Sequence, residues 1–181
     1  MTTKLTDYIH VYPVATKEQC VAILNAVAGR PFQRAVTLNP AGDLIVDADR
    51  TNSNMWITGV QGLESIDRDL FRFFEDGARL YVDQHRKCTL VSDEGYNLLR
   101  YEVGEEYKEH VDCGNGVFRT LSAILYLNDD YVGGELVFPE LDLVIKPKAG
   151  DLLLFPSNFS YVHKAAPITS GTKYSVVTWF K

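Results

Sequence analysis

The sequence predicts a mainly β protein: a sandwich or barrel of short antiparallel strands, with two N-terminal α-helices packed on one sheet. Three observations carry this. Helical periodicity is confined to roughly the first 90 residues. From about Tyr96 the hydrophobic period changes to two. After that point Gly, Asn-Asp and Pro signals break the chain every few residues, with no helical segment between them, which disfavours a parallel α/β sheet.

Each element follows in order. Thr16-Lys17-Glu18-Gln19 has the pattern of a capping box, and Cys20, Ile23, Leu24 and Val27 then recur at helical spacing until Gly29 and Pro31 stop the helix. A second helix is predicted from about Gln61 to Gln84, with Leu63, Ile66, Leu70, Phe73 or Phe74, and Tyr81 on one face and charges on the other. Between the helices, NPAGDLIVDADRTNSN is rich in turn formers and reads as a mobile hairpin or loop. Then come NLLRYEV, FRTLSAILYLN, GELVFPE, DLVIKP, DLLLFP, FSYVHKA and KYSVVTWF, seven or eight short strands in close succession.

A length of 181 residues suits one domain, with helical support over about 1–90 and the β core over about 94–181. The net charge of −6 argues against nucleic acid or an anionic membrane as the main partner. The N-terminus lacks an apolar signal core, and no run approaches the roughly 18 apolar residues of a spanning helix, so a cytoplasmic location is expected. Three cysteines (Cys20, Cys88, Cys113) form no CxxC, in keeping with a reduced compartment. No pattern specifies an oligomeric state.

Candidate chemistry centres on GEEYKEHVDCGNG, where His110 and Asp112 stand two positions apart. In an extended segment, side chains at i and i+2 point the same way and can reach one ion from one side. Cys113 then points the other way. A third ligand must come from His10, His85 or His163. His10 and His85 read as plain surface residues, whereas His163 lies on a late strand that a neighbour could bring beside the pair. Two imidazoles and one carboxylate suit non-haem Fe(II) with open positions, and zinc would also accept them.

Two further strands fit a polar interior. In TKYSVVTWF, Lys173, Ser175, Val177 and Trp179 share one face, and a strand apolar on both faces leaves a lysine little access to water. A carboxylate held beside the metal would satisfy it; snorkelling from the strand's start is the alternative. In RTLSAILYLN, Leu121, Ala123, Leu125 and Leu127 form a core face, while Thr120, Ser122, Ile124, Tyr126 and Asn128 form a semi-polar one suited to a ligand cavity.

Taken together, the ordered series Tyr101, His110-Val-Asp112, Arg119-Thr-Leu-Ser, Leu-Tyr126-Leu-Asn, Gly133-Gly134-Glu135-Leu, Gly150-Asp151-Leu, Phe155-Pro156, His163, Gly171-Thr-Lys173-Tyr-Ser and Trp179 resembles the prolyl 4-hydroxylase-like branch of the 2-oxoglutarate and Fe(II)-dependent dioxygenases. The resemblance is strong over roughly residues 94–180. It implies a double-stranded β-helix, or jelly-roll, core. By the same resemblance His110, Asp112 and His163 would bind iron, and Lys173 and Tyr126 would hold the distal carboxylate of 2-oxoglutarate. Tyr101 would line the cosubstrate or substrate pocket, and Trp179 would pack near the metal. Arg50-Thr-Asn-Ser53 with Trp56 is similar to a segment that borders a substrate-covering loop, so Arg50, Ser53 and Trp56, with Arg119, would contact substrate. The implied reaction hydroxylates an unactivated C–H of a peptidyl proline, using Fe(II), 2-oxoglutarate and O2 with ascorbate in a supporting role, and releases succinate and CO2. Other classes are hydroxylation of a free amino acid or small molecule, a nucleic-acid demethylase, and a non-catalytic metal-binding jelly roll. The acidic balance and the lack of paired arginines after His163 disfavour the demethylase. Transfer from likeness is better for cofactor chemistry than for substrate.

Overall fold

Strand alternation sorts this chain into a helix-facing core and a polar interior, and the computed structural model, which describes residues 3–38, 43–114 and 116–181, shows how. The N-terminal part carries β1 (His10–Pro13), α1 (Lys17–Val27), β2 (Gln33–Arg34), β3 (Thr37–Leu38), β4 (Leu44–Ile45), β5 (Ser53–Trp56) and α2 (Glu64–Gln84). Next come β6 (Asn97–Tyr101), β7 (Tyr107–His110), β8 (Leu121–Tyr126), β9 (Val132–Gly133), β10 (Leu136–Phe138) and β11 (Leu143–Ile145). The chain ends with β12 (Asp151–Pro156), β13 (His163–Ala165), β14 (Ile168–Ser170) and β15 (Lys173–Phe180).

Both helices form for the reasons their sequences give. The Thr16 hydroxyl accepts from the Gln19 amide, and the Gln19 side chain accepts from the Thr16 amide, closing the capping box. Gly29 takes a positive φ of 75° just beyond the end of α1. The second helix begins at Glu64, three residues later than the periodicity suggests, because Gly62 sits at φ 82° and residues up to Leu63 turn instead. Its buried face includes Ile66, Leu70, Phe73, Phe74 and Tyr81. At Gly77 the helix comes so close to β12 that a Cβ would run into the Leu152 side chain.

Two sheets make the jelly roll, and every strand pair is antiparallel. The larger runs β1-β12-β8-β15-β6-β5-β2 and the smaller β11-β10-β13-β7. Helices α1 and α2 cover the outer face of the larger sheet, where Ile23, Leu70 and Phe74 join Leu121, Leu125, Leu152, Leu154, Val176 and Phe180 in one core cluster. Between the sheets lie two smaller clusters. One gathers Leu99, Tyr101, Tyr131, Ile168 and Val177; the other gathers Tyr126, Leu136, Phe138, Leu153 and Phe155. The predicted architecture of a mainly β jelly roll with two helices on one sheet is the observed one.

The antiparallel β3–β4 pairing after residue 36 agrees with the hairpin reading, residues 39–42 lying outside the described ones. Two local readings change. Ser53–Trp56 is a strand of the larger sheet paired with β6, not part of a loop, because it can complete hydrogen bonds along β6. His10 and His85 are not unrelated surface residues: their Nε2 atoms lie 2.8 Å apart, half-buried between Tyr8, Tyr12 and Tyr81.

Candidate metal centre and cosubstrate pocket

Register brings the first two site residues together. His110 ends β7 directly opposite His163 on β13, and their ring centroids are 4.2 Å apart. Asp112 lies on the bend beyond β7, so strand alternation alone does not aim it. Three contacts do. The Cys113 amide donates to the Ser157 carbonyl, Arg119 donates to the Asp112 carbonyl, and the Ser122 hydroxyl donates to Asp112 Oδ2 at 2.7 Å. The Cys113 thiol turns away to the Val117 carbonyl. One potential ligand atom from each of His110, Asp112 and His163 lies within 4.8 Å of the other two, the one such group among the described residues.

Protonation of this group follows from its partners. His110 Nδ1 faces the Lys108 carbonyl at 2.8 Å, and His163 Nδ1 faces the Tyr161 carbonyl at 3.0 Å. A carbonyl can only accept, so in each neutral ring Nδ1 carries the proton and Nε2 presents a lone pair. Those Nε2 atoms face Asp112 oxygens at 3.6 Å, beyond hydrogen-bond length. Burial, then the neighbouring His163, pulls the His110 pKa down to about 3, which keeps it neutral. Burial pushes the Asp112 carboxyl up, but the two imidazoles with Ser122 and Trp179 as donors outweigh it and hold it at about 2. When both rings are neutral, three lone-pair groups face one another, and a cation placed among them removes the conflict. The donor set therefore fits the metal that two His and one carboxylate suit.

The group opens onto a narrow cavity of about 50 Å³, lined among others by Tyr101, Tyr107, Ser122, Tyr126, Lys173 and Trp179. All four inward residues of β15 (Lys173, Ser175, Val177, Trp179) line it, and Ser122, Ile124 and Tyr126 do so from β8. Lys173 is only 2% exposed. Its ammonium donates to the Gly134 carbonyl at 2.7 Å and stands over the rings of Tyr101 and Tyr126 at 5.2 and 5.1 Å. No carboxylate lies within 4.0 Å of it among the described residues. Burial pulls its pKa down to about 7. The Tyr126 hydroxyl is wholly buried with no partner, and burial raises its pKa. Gly134 permits this approach: it sits at φ 68°, and a Cβ there would meet Ile168 and the Lys173 side chain. A buried cation beside an orphaned hydroxyl has the chemistry to receive a carboxylate.

Of the substrate-contact expectations, only Arg50 lines the cavity, stacked over Tyr107 at 4.9 Å and bonded to Asn52 and the Val36 carbonyl. Ser53 pairs with Arg100 on β6, and Trp56 stands 46% exposed on the same strand beside Gly95; neither lines the cavity. Arg119 is bound to Glu94 at 2.6 Å and lies over the Trp179 ring at 3.6 Å. Sequence reasoning passed over Tyr107, which stacks on His110 at 3.6 Å, and Ser157 behind Ser122. Nothing in a local pattern marks either, since each is placed by cross-strand geometry.

Comparison with known proteins agrees with this geometry. Residues 96–181, just under half of the chain, match the family described as the 2OG-Fe(II) oxygenase superfamily, whose cofactor and cosubstrate are Fe(II) and 2-oxoglutarate. Several of the similar proteins are prolyl hydroxylases. The chain is 28% identical over 202 residues to probable prolyl 4-hydroxylase 9 of Arabidopsis thaliana, covering 92% of itself and 66% of that protein. It is 41% identical over 88 residues to human prolyl 3-hydroxylase 2, covering 46% of itself and 12% of that protein. It thus spans just under two thirds of the first relative and a small part of the second. Among solved structures it superposes on a prolyl hydroxylase from Trichoplax adhaerens, in complex with a hypoxia inducible factor peptide fragment, with a TM-score of 0.75 at 20% identity, covering 97% and 84% of the two chains. A 2OG complex of a viral collagen prolyl hydroxylase from Paramecium Bursaria Chlorella virus-1 gives 0.70 at 22%, covering 96% and 95%. At such identities these structures speak to the fold. No helix among the described residues is long and apolar enough to cross a membrane.

Proposed function

We propose that residues 1–181 act as one 2-oxoglutarate- and Fe(II)-dependent hydroxylase whose substrate is a proline-containing peptide or protein. The observation that carries this is the single cavity shared by the three facing lone-pair groups of His110, Asp112 and His163 and the buried, carboxylate-free ammonium of Lys173. The peptide class draws support from the prolyl hydroxylases to which the chain is similar, one of them solved with a peptide fragment.

Each residue has a definable task. His110 and His163 offer Nε2 atoms already oriented by backbone carbonyls, so metal binding costs them little reorganisation. Asp112 supplies one negative charge and stays ionised across the ordinary pH range. Lys173 and Tyr126 bind the far carboxylate of the cosubstrate, and Lys173 makes that end selective for a dicarboxylate. Tyr101, Leu99, Val177 and Ala165 form apolar walls that limit water. Arg50, which lines the cavity over Tyr107, would meet the substrate. When bound, iron with its keto acid supplies the O2 chemistry that hydroxylates an unactivated C–H bond.

The test begins anaerobically. Fe(II) followed by 2-oxoglutarate should give a weak visible charge-transfer band in the native protein and none in His163→Ala. Incubation with air and proline-rich peptides should then add one oxygen atom to a proline, read by mass spectrometry. A band followed by hydroxylation of free proline alone would move the substrate to the small-molecule class. Metal binding without a band would overturn the oxygenase reading.

A further inference from the structure

Asp112 has two oxygens, and the fold treats them differently. Oδ2 accepts from Ser122 Oγ at 2.7 Å and faces His163 Nε2 at 3.6 Å, while Oδ1 faces His110 Nε2 at the same 3.6 Å. Ser122 Oγ also lies 2.8 Å from Ser157 Oγ, and both serines are 1% exposed. Counting protons fixes the direction of this chain. Each hydroxyl has one hydrogen; Ser122 spends its own on the carboxylate, which can only accept, so Ser157 must donate to Ser122.

The backbone holds this pair from three sides. Ser122 is flanked in register by Phe155 on β12 and Trp179 on β15. Ser157 gives its amide to the Thr120 carbonyl and takes the Cys113 amide on its own carbonyl, so the residue steering Ser122 also anchors the chain one position past Asp112. The carboxylate is thus gripped through its main chain and through one oxygen by the same two strands.

We propose that Ser122, backed by Ser157, is a positioning residue that fixes the rotation of the Asp112 carboxylate between His110 and His163 in advance of the metal. This rests on the metal-centre reading above. A carboxylate free to rotate must be ordered when an ion binds; one whose Oδ2 is already held by a hydroxyl is oriented beforehand, which raises affinity. The role requires a hydroxyl at 122 and a donor behind it, not merely a small side chain.

The experiment measures Mn(II) affinity by calorimetry and the low-temperature Mn(II) resonance spectrum, without turnover, in wild type, Ser122→Ala, Ser122→Thr and Ser157→Ala. Melting temperatures of the metal-free proteins are measured in parallel. Loss of the hydroxyl is expected to weaken binding roughly tenfold or more and to alter the spectrum, with Ser122→Thr restoring both. Ser157→Ala should fall between, at about threefold, on the same order-of-magnitude footing. Affinity and spectrum unchanged in Ser122→Ala would overturn the proposal, as would an affinity loss that Ser122→Thr fails to restore while remaining folded. Should Ser122→Ala not fold, Ser157→Ala decides: binding equal to wild type overturns the inference. A wild type that binds no Mn(II) or Fe(II) would instead remove the metal-centre reading itself.

Discussion

At Lys173 the protein holds an ammonium ion with, among the described residues, a single carbonyl partner and no carboxylate within 4.0 Å. A buried charge so poorly compensated lowers stability until an anion arrives. Lys173→Met should therefore raise the melting temperature of the cosubstrate-free protein while weakening 2-oxoglutarate binding by about 100-fold, the scale of truncating one partner of a buried charge pair. Mn(II) affinity should be unchanged; calorimetry separates the two. The same residue sets a pH dependence. Its ordinary pKa is 10.5 and burial brings it to about 7. Between those values the unfolded chain binds a proton that the native chain lacks, so stability of the cosubstrate-free protein rises with pH by at most about 1.4 kcal/mol per unit. Below pH 7 both states carry the proton and the slope vanishes. Anion binding needs the ammonium, so 2-oxoglutarate affinity should fall as pH rises above about 7, by up to about tenfold per unit, with proton uptake on binding. Urea melts and buffer-varied calorimetry from pH 6 to 9 check both slopes, and Lys173→Met should flatten them.

Single elements show where sequence reasoning succeeds. The capping box at Thr16 has both reciprocal bonds, so Thr16→Ala should cost about 1 kcal/mol in a denaturant melt, with no change in metal affinity. That element was legible because its determinants lie within four residues of one another. The faces of β8 and β15 were legible too: alternation separates Leu121, Ala123 and Leu125 from Ser122, Ile124 and Tyr126, and the two sets lie in the helix-facing core and the cavity respectively, save that Ala123 also borders the cavity. The triad members could be nominated from their spacing and strand context. What could not be read was the bend that aims Asp112, since Ser157 and Arg119 hold it from elsewhere in the chain. The strand at Ser53–Trp56 escaped for a related reason, because turn-forming residues upstream masked a segment whose partner, β6, begins about 40 residues later. His10 and His85 looked unremarkable for want of any sequence signal that spans 75 positions.

Across the whole molecule, the helices support only one of the two sheets. The smaller sheet, which carries His110 and His163, has exposed outward residues such as Val144 at 63%. A metal joining β7, the following bend and β13 would tie that unsupported sheet together, and ligand binding to the native state alone stabilises by mass action. Mn(II) at 100 times its Kd should add about 2.7 kcal/mol to unfolding stability in wild type and nothing in His163→Ala. Chelator treatment should reverse the gain.

Because cavity and core alternate along the same two strands, the molecule stores two separate texts in one reading frame. Substitutions at Ser122, Tyr126, Lys173 or Ser175 edit the chemistry and leave the words written for the helices intact; those at Leu121, Leu125 or Val176 do the reverse. Deleting one residue from Leu121–Tyr126 or Lys173–Phe180 would garble both at once, sending side chains meant for the helices into the cavity. A library of single substitutions and single deletions through these segments, sorted first for folding and then for Mn(II) and 2-oxoglutarate binding, should show substitutions falling into two alternating classes and deletions into neither. Such a gene can drift toward new substrates by substitution at every second codon, while length changes in these strands stay closed to it.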